Sequence, residues 1–200
     1  MKKKVVVLTA FWFALAAAVA ASGFLARAKP PTLQVVVASQ VLLLIIFYVT
    51  SNTFAEFARS LPLSRLTIFH LWRVLPGAGF LLLYHRGLMP RDFAVPAGVG
   101  DIAVALLAPA FAILATRSSS GSTKAVLAFH AIGLLDLLLV VANAARISIA
   151  DPASMRILAE SPRVIVPIFF VPLTIFLHVL SIDLCRRAVT SKAKTASSHQ

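Results

Sequence analysis

Six apolar runs of about 20 residues, each closed by a proline, a basic residue or a polar turn, decide what this chain can fold into. At about 1.5 Å rise per residue, such a run crosses a hydrocarbon core of about 30 Å as one helix. The runs are continuous in apolarity, whereas a membrane β-barrel strand alternates apolar and polar positions over about ten residues. Composition agrees: 60% of the 200 residues are hydrophobic and 13% charged, against roughly 45–50% and about 25% in soluble domains. The expected fold is an all-α integral membrane bundle of six transmembrane helices in a single domain, 1–187. The spans fall at about 5–26, 32–54, 65–87, 93–116, 125–147 and 163–184, and a basic disordered cytoplasmic tail covers 188–200.

The first run follows Met1-Lys2-Lys3-Lys4 and has the look of a secretory signal. Its apolar part, Val5 to Leu25, exceeds the roughly 7–15 residues of a signal core, and it reads as a retained anchor. The pairs Ala16/Ala20, Ala17/Ala21 and Ala18/Ser22 would let another helix approach closely. Between the second and third spans runs a polar connector through Glu56, Arg59 and Pro62. Arg117 to Lys124 reads as a flexible loop, and Pro152 to about Glu160 as a short helix on the membrane surface.

The net charge of +12 sits mostly in turns and tails beside the apolar runs. There it sets topology and meets anionic lipid headgroups, and without a basic stripe interleaved with aromatics it gives no sign of nucleic-acid binding. With both termini cytoplasmic, eleven of the nineteen Lys and Arg residues lie on inner flanks and seven on outer ones, which favours that orientation. The lone Cys185 closes no intramolecular disulfide and reads as a packing residue.

Ionisable groups within such spans cost roughly 3 kcal/mol each even on mild insertion scales, so they need partners or a purpose. Counted from the cytoplasmic ends at about 1.5 Å per residue, Arg73 lies about 12 Å deep, Asp136 about 17 Å and Asp101 about 22 Å. An arginine side chain spans much of that gap, so a cluster of Arg73, Asp101 and Asp136 is expected. His70, Arg73, Gly77 and Tyr84 share one helical face, as do Gly133, Asp136 and Asn143. One guanidinium cannot neutralise two carboxylates, and a proton is the simplest extra counter-charge. That is the arrangement a proton-coupled carrier needs, and equally a static ion pair that fixes helix register.

His70, His130 and His178 fall at about 8–9 Å by the same count, with Asp183 beyond them. Their donor set suits a metal ion, and His130 with His178 suits axial haem ligation. No HxxxH or HExxH spacing fixes two ligands on one helix face, so interhelical hydrogen bonding is the plainer expectation and no cofactor is required. Gln40 is expected to bond across helices. Pro76, Gly77 and Gly79 in the third span, and Pro96, Gly98 and Gly100 at the start of the fourth, are expected to break their helices. Broken helices near the midplane line binding sites in transporters, though kinks for packing give the same pattern. No nucleophile elbow, P-loop or paired carboxylates in a soluble cleft point to an enzyme.

At Trp72-Arg73, Gly87-Leu88-Met89-Pro90 and Phe93 to Asp101 the chain resembles a group of small, uncharacterised bacterial multi-pass membrane proteins. The resemblance implies an inner-membrane location and this fold class. Three functions remain open at this point: a small proton-coupled carrier or channel-like module, an accessory protein binding partner helices or a second copy of itself, and a metal- or haem-binding membrane protein.

Overall fold

The computed structural model describes residues 2–117 and 119–197, and among them every regular element is a helix. Five stretches are long and apolar enough to cross a membrane: Thr32–Thr50, Leu63–His85, Arg91–Leu114, Ser120–Ala150 and Val166–Ser191. The expected first span is not among these. Helix α1 covers Lys2–Ser22, and Gly23 turns the chain at φ +63° into the single turn α2, Phe24–Arg27.

Helix α3, Thr32–Thr50, stops earlier than expected because Ser51 takes an extended conformation and caps a new helix. Its hydroxyl accepts the Phe54 N–H at 3.3 Å and starts α4, Asn52–Arg59. The third span is composite: α5, Leu63–Phe69, a 3₁₀ turn, His70–Arg73, and α6, Val74–His85. The ladder yields one turn before Pro76 and not at Gly77 or Gly79. Pro76 has no N–H for the Trp72 carbonyl and its ring crowds that carbonyl, so the turn that contains Trp72 is the one that tightens.

The α6–α7 turn closes as a Schellman motif. Gly87, at φ +70°, bonds the Tyr84 carbonyl at 2.9 Å, and Leu88 reaches back to Leu83 at 2.9 Å. Helix α7 then runs unbroken over Arg91–Leu114, through Pro96, Gly98 and Gly100, contrary to the expected interruption. Pro96 frees the carbonyl of Asp92, four residues back, and Asn143 Nδ2 donates to that carbonyl at 2.7 Å. An amide from α8 thus satisfies the acceptor that the proline leaves, and the helix survives.

Helix α8, Ser120–Ala150, begins inside the expected flexible loop because Ser119 caps it, its Oγ accepting the Ser122 N–H at 3.1 Å. The segment expected as a surface helix is instead a set of turns around a 3₁₀ turn, Arg156–Leu158, that buries Met155 and Leu158 in the core. A π-turn, Val166–Phe170, leads into α9, Val171–Ser197. Helix α9 extends into the basic segment expected to be disordered, where alanines and lysines favour helix; residues 198–200 lie outside the described range.

Helix α9 is the centre of the packing. Of its apolar window 61% is buried, against 11% for α3, and it packs on α3, α5 and α8. Helix α7 packs on α5, the 3₁₀ turn, α6 and α8. Helix α1 lays Ala16 and Ala20, one of its three small-residue pairs, against Val164, Ile168 and Phe169. Trp12 Nε1 donates to Gln40 Oε1 at 2.7 Å, which ties α1 to α3. The outer faces are apolar (Leu75 is 73% exposed, Ile132 66%) while Arg73 is fully buried. Water would favour the reverse, and hydrocarbon favours this.

Candidate functional site

Two polar clusters occupy the middle of the bundle, and the 3₁₀ turn His70–Arg73 contributes to both. The first is charged. Arg73 is residue 11 of the 23 in its composite helix, and Asp101 and Asp136 stand equally near the centres of α7 and α8. The Arg73 guanidinium spans both acids. Nε and Nη2 lie 2.6 Å from Asp101 Oδ1, Nη2 also bonds Asp136 Oδ2, and Nη1 reaches the Gly133 carbonyl at 3.4 Å. The two acids are not equivalent. Asp101 takes two donors and its side chain is 6% exposed, whereas Asp136 takes one and is 22% exposed. The open edge of Asp136 lies on the face of α8 that also exposes Ile132, Leu135 and Leu139.

Glycines make this contact possible. A Cβ on Gly100 would collide with the Asp136 carboxylate, with Cγ only 2.9 Å away. Gly77 and Gly98 face each other: a Cβ on either would come within 2.9 Å of the other's carbonyl oxygen. That close approach of α6 and α7 sets Asp101 beside Arg73. The residues expected as helix breaks at 77, 98 and 100 therefore serve as close-packing points, while Gly79 has open space around its Cα.

The second cluster is imidazole. His70, His130 and His178 are fully buried, and one ligand nitrogen from each lies within 4.8 Å of the others. His130 Nδ1 and His178 Nδ1 are 3.0 Å apart, and His70 stacks on His178 with ring centroids 3.8 Å apart and an interplanar angle of 19°. Gly133 leaves room for this ring, since a Cβ there would stand 2.5 Å from His178 Cε1. The rings pack directly on one another, which leaves no place for a haem macrocycle between His130 and His178. Haem ligation by that pair is therefore set aside.

Thr67 was missed by sequence reasoning although it is fully buried in this cluster. Its hydroxyl donates to the Leu63 carbonyl at 2.8 Å and meets His130 Nε2 at 3.0 Å. The signal was its place three residues before His70, on the same helical face. Tyr84, expected on the face of Arg73, is 40% exposed and lies in the last turn of α6. Asn143 serves Asp92 and stands apart from the charged cluster. Asp183 lies near the middle of α9, past His178, where it accepts from Tyr48 OH at 2.7 Å and Arg187 Nε at 2.7 Å, with Arg59 Nε 3.5 Å away. Cys185 is buried.

By fold, burial pattern and site, the molecule is a helical chain with, among its described residues, five helices of membrane-spanning length and apolarity around a buried polar centre. Its residues 30–186 match the family described as a domain of unknown function, DUF8737, and the chain belongs to that family. No curated protein and no solved structure matches it. The matched region contains every member of both clusters and begins after α1 and α2.

Proposed function

We propose that this protein is a six-span protein of the bacterial inner membrane, with both termini cytoplasmic, that moves protons or a small cation across the bilayer through Asp136, Asp101 and Arg73. In this reading α1 is the sixth span, held by Trp12, Ala16 and Ala20. The observation that carries the reading is one guanidinium holding two carboxylates at the centres of three helices. A fixed pair needs one acid. The second leaves a negative charge in surroundings where an uncompensated charge is costly, and binding a proton or cation removes that cost. Asp101, held twice and shut in, is the permanent counter-ion of Arg73. Asp136 is the acid that loads and unloads.

The test is flux in proteoliposomes that carry the purified protein, an internal pH dye and an imposed pH gradient. Asp136→Asn abolishes the pH-dependent flux and leaves the folded protein intact. Unchanged flux in that variant, or none above empty liposomes in the wild type, removes the carrier reading.

A second reading, an accessory protein that binds partner helices, draws on the α3 side of the molecule. Helix α3 keeps most of its apolar window exposed, and two apolar grooves of about 570 and 620 Å³ run along it, with Trp12, Phe47 and Phe176 among their lining residues. Stable co-purification of one membrane partner, lost when Phe47 is changed to a charged residue, is the result this reading expects.

A further inference from the structure

The imidazole cluster carries an inference independent of proton movement. Its hydrogen bonds fix where the protons are. Thr67 has one hydroxyl hydrogen, and the Leu63 carbonyl takes it at 2.8 Å, so Thr67 Oγ1 accepts from His130 Nε2–H at 3.0 Å. A neutral His130 then presents a lone pair at Nδ1, and His178 Nδ1–H donates to it across 3.0 Å. That choice leaves His178 Nε2 as a bare acceptor. Among the described residues it has no hydrogen-bond partner, and neither nitrogen of His70 has one. Three buried ring nitrogens are unsatisfied within one cluster, and an unsatisfied polar group is destabilising where water is excluded. Three phenylalanines would fill the same space without that cost, and His70, with both ring nitrogens unpaired, has a lone pair free to hold a ligand.

We propose that His70, His130 and His178 form a three-imidazole site for a late first-row transition-metal cation, with copper(I) favoured over zinc(II). The donor set is nitrogen only, which suits copper and zinc and disfavours the oxygen-seeking calcium and magnesium. Metal–nitrogen bonds of about 2.0–2.1 Å in trigonal or tetrahedral geometry place ligand nitrogens about 3.4–3.6 Å apart. The 3.0 Å between His130 Nδ1 and His178 Nδ1 is therefore a few tenths of an ångström short of a metal-bridged spacing. On binding, the His178 proton moves from Nδ1 to the unsatisfied Nε2, and both Nδ1 lone pairs face the ion. Parallel rings cannot aim two lone pairs at one point, so His70 turns off its stack on His178 to complete the site. With both nitrogens unbonded, no hydrogen bond holds it back. Thr67, bonded to His130 Nε2–H, orients the third ring as a supporting partner. Charge favours the monovalent ion. The ligands are neutral and fully buried, and the cost of holding an ion's charge out of water grows steeply with that charge.

The test uses the full-length protein purified in detergent and stripped of metal. It is loaded either with copper(I) under reductant and a competing chelator, or with zinc(II), and then read by elemental analysis, X-ray absorption and thermal unfolding. The site predicts one equivalent of copper(I) with nitrogen-only ligation and a rise in unfolding temperature. His70→Phe keeps the packed volume, removes two unsatisfied nitrogens and unfolds no earlier than the stripped wild type, yet binds more than about 100-fold more weakly. Thr67→Val weakens binding by about 10–100-fold, as loss of a supporting hydrogen bond does, and it carries the test if His70→Phe does not fold. Failure to retain either metal stoichiometrically, or retention unchanged in these variants, overturns the site. Tighter retention of zinc(II) overturns the charge argument.

Discussion

The charged cluster and the imidazole cluster share one 3₁₀ turn, yet they are built on opposite principles. In the first, every formal charge has a partner: Arg73 holds Asp101 and Asp136, and the surplus is a single negative charge with one edge open. In the second there is no net charge in the neutral form and no opening, and three nitrogens lack partners. Charges brought into a low-dielectric centre must be paired to fold at all, so the first cluster is a condition of the structure. Neutral imidazoles are tolerated unsatisfied at smaller cost, so the second persists where a ligand compensates it. The charged cluster is assembled by its own counter-charges, and the imidazole cluster is left with unpaired nitrogens.

The largest effect that can break this contrast comes from paired substitutions. Arg73→Leu leaves two buried acids without a cation and is expected to cost about 3–5 kcal/mol, read by denaturant unfolding in mixed micelles. His70→Phe, of similar burial and one turn away, is expected to cost nothing or to stabilise. Equal destabilisation by the two would erase the distinction.

Smaller effects separate the clusters through their glycines. Gly100→Ala presses on the Asp136 carboxylate and Gly133→Ala on the His178 ring, and each should cost about 1–3 kcal/mol by overpacking. The first is expected to impair flux and spare metal retention, and the second to impair metal retention and affect flux less. A swap of those phenotypes would show that the two sites act as one. The smallest effect belongs to a residue outside both. Asn143→Ala removes the donor that stabilises the Asp92 carbonyl beside Pro96 and is expected to cost about 1 kcal/mol, with flux and metal retention unchanged.

How much of this was legible in the sequence follows from what a linear count can measure. Position along a helix axis is fixed by 1.5 Å per residue, and that count alone put Arg73, Asp101 and Asp136 at neighbouring depths, and the three histidines at another. Rotation about the axis is set by neighbours and is not in the count. Asn143 therefore found Asp92 rather than the acids. Proline was misread for a related reason. Pro96 frees a carbonyl, and whether the helix breaks depends on a donor from another helix, here Asn143, 47 positions later in the chain. Thr67 escaped notice because threonine is unremarkable in an apolar helix until a histidine is seen against it.

The central claim is that Asp136 exchanges a proton while Asp101 stays paired with Arg73. The most direct measurement is infrared difference spectroscopy of the reconstituted protein across a pH titration, following the carboxylic C=O stretch. The account predicts one titrating carboxyl band that disappears in Asp136→Asn and persists in Asp101→Asn. A band that survives Asp136→Asn, or no protonated carboxyl at any pH at which the protein stays folded, would contradict it.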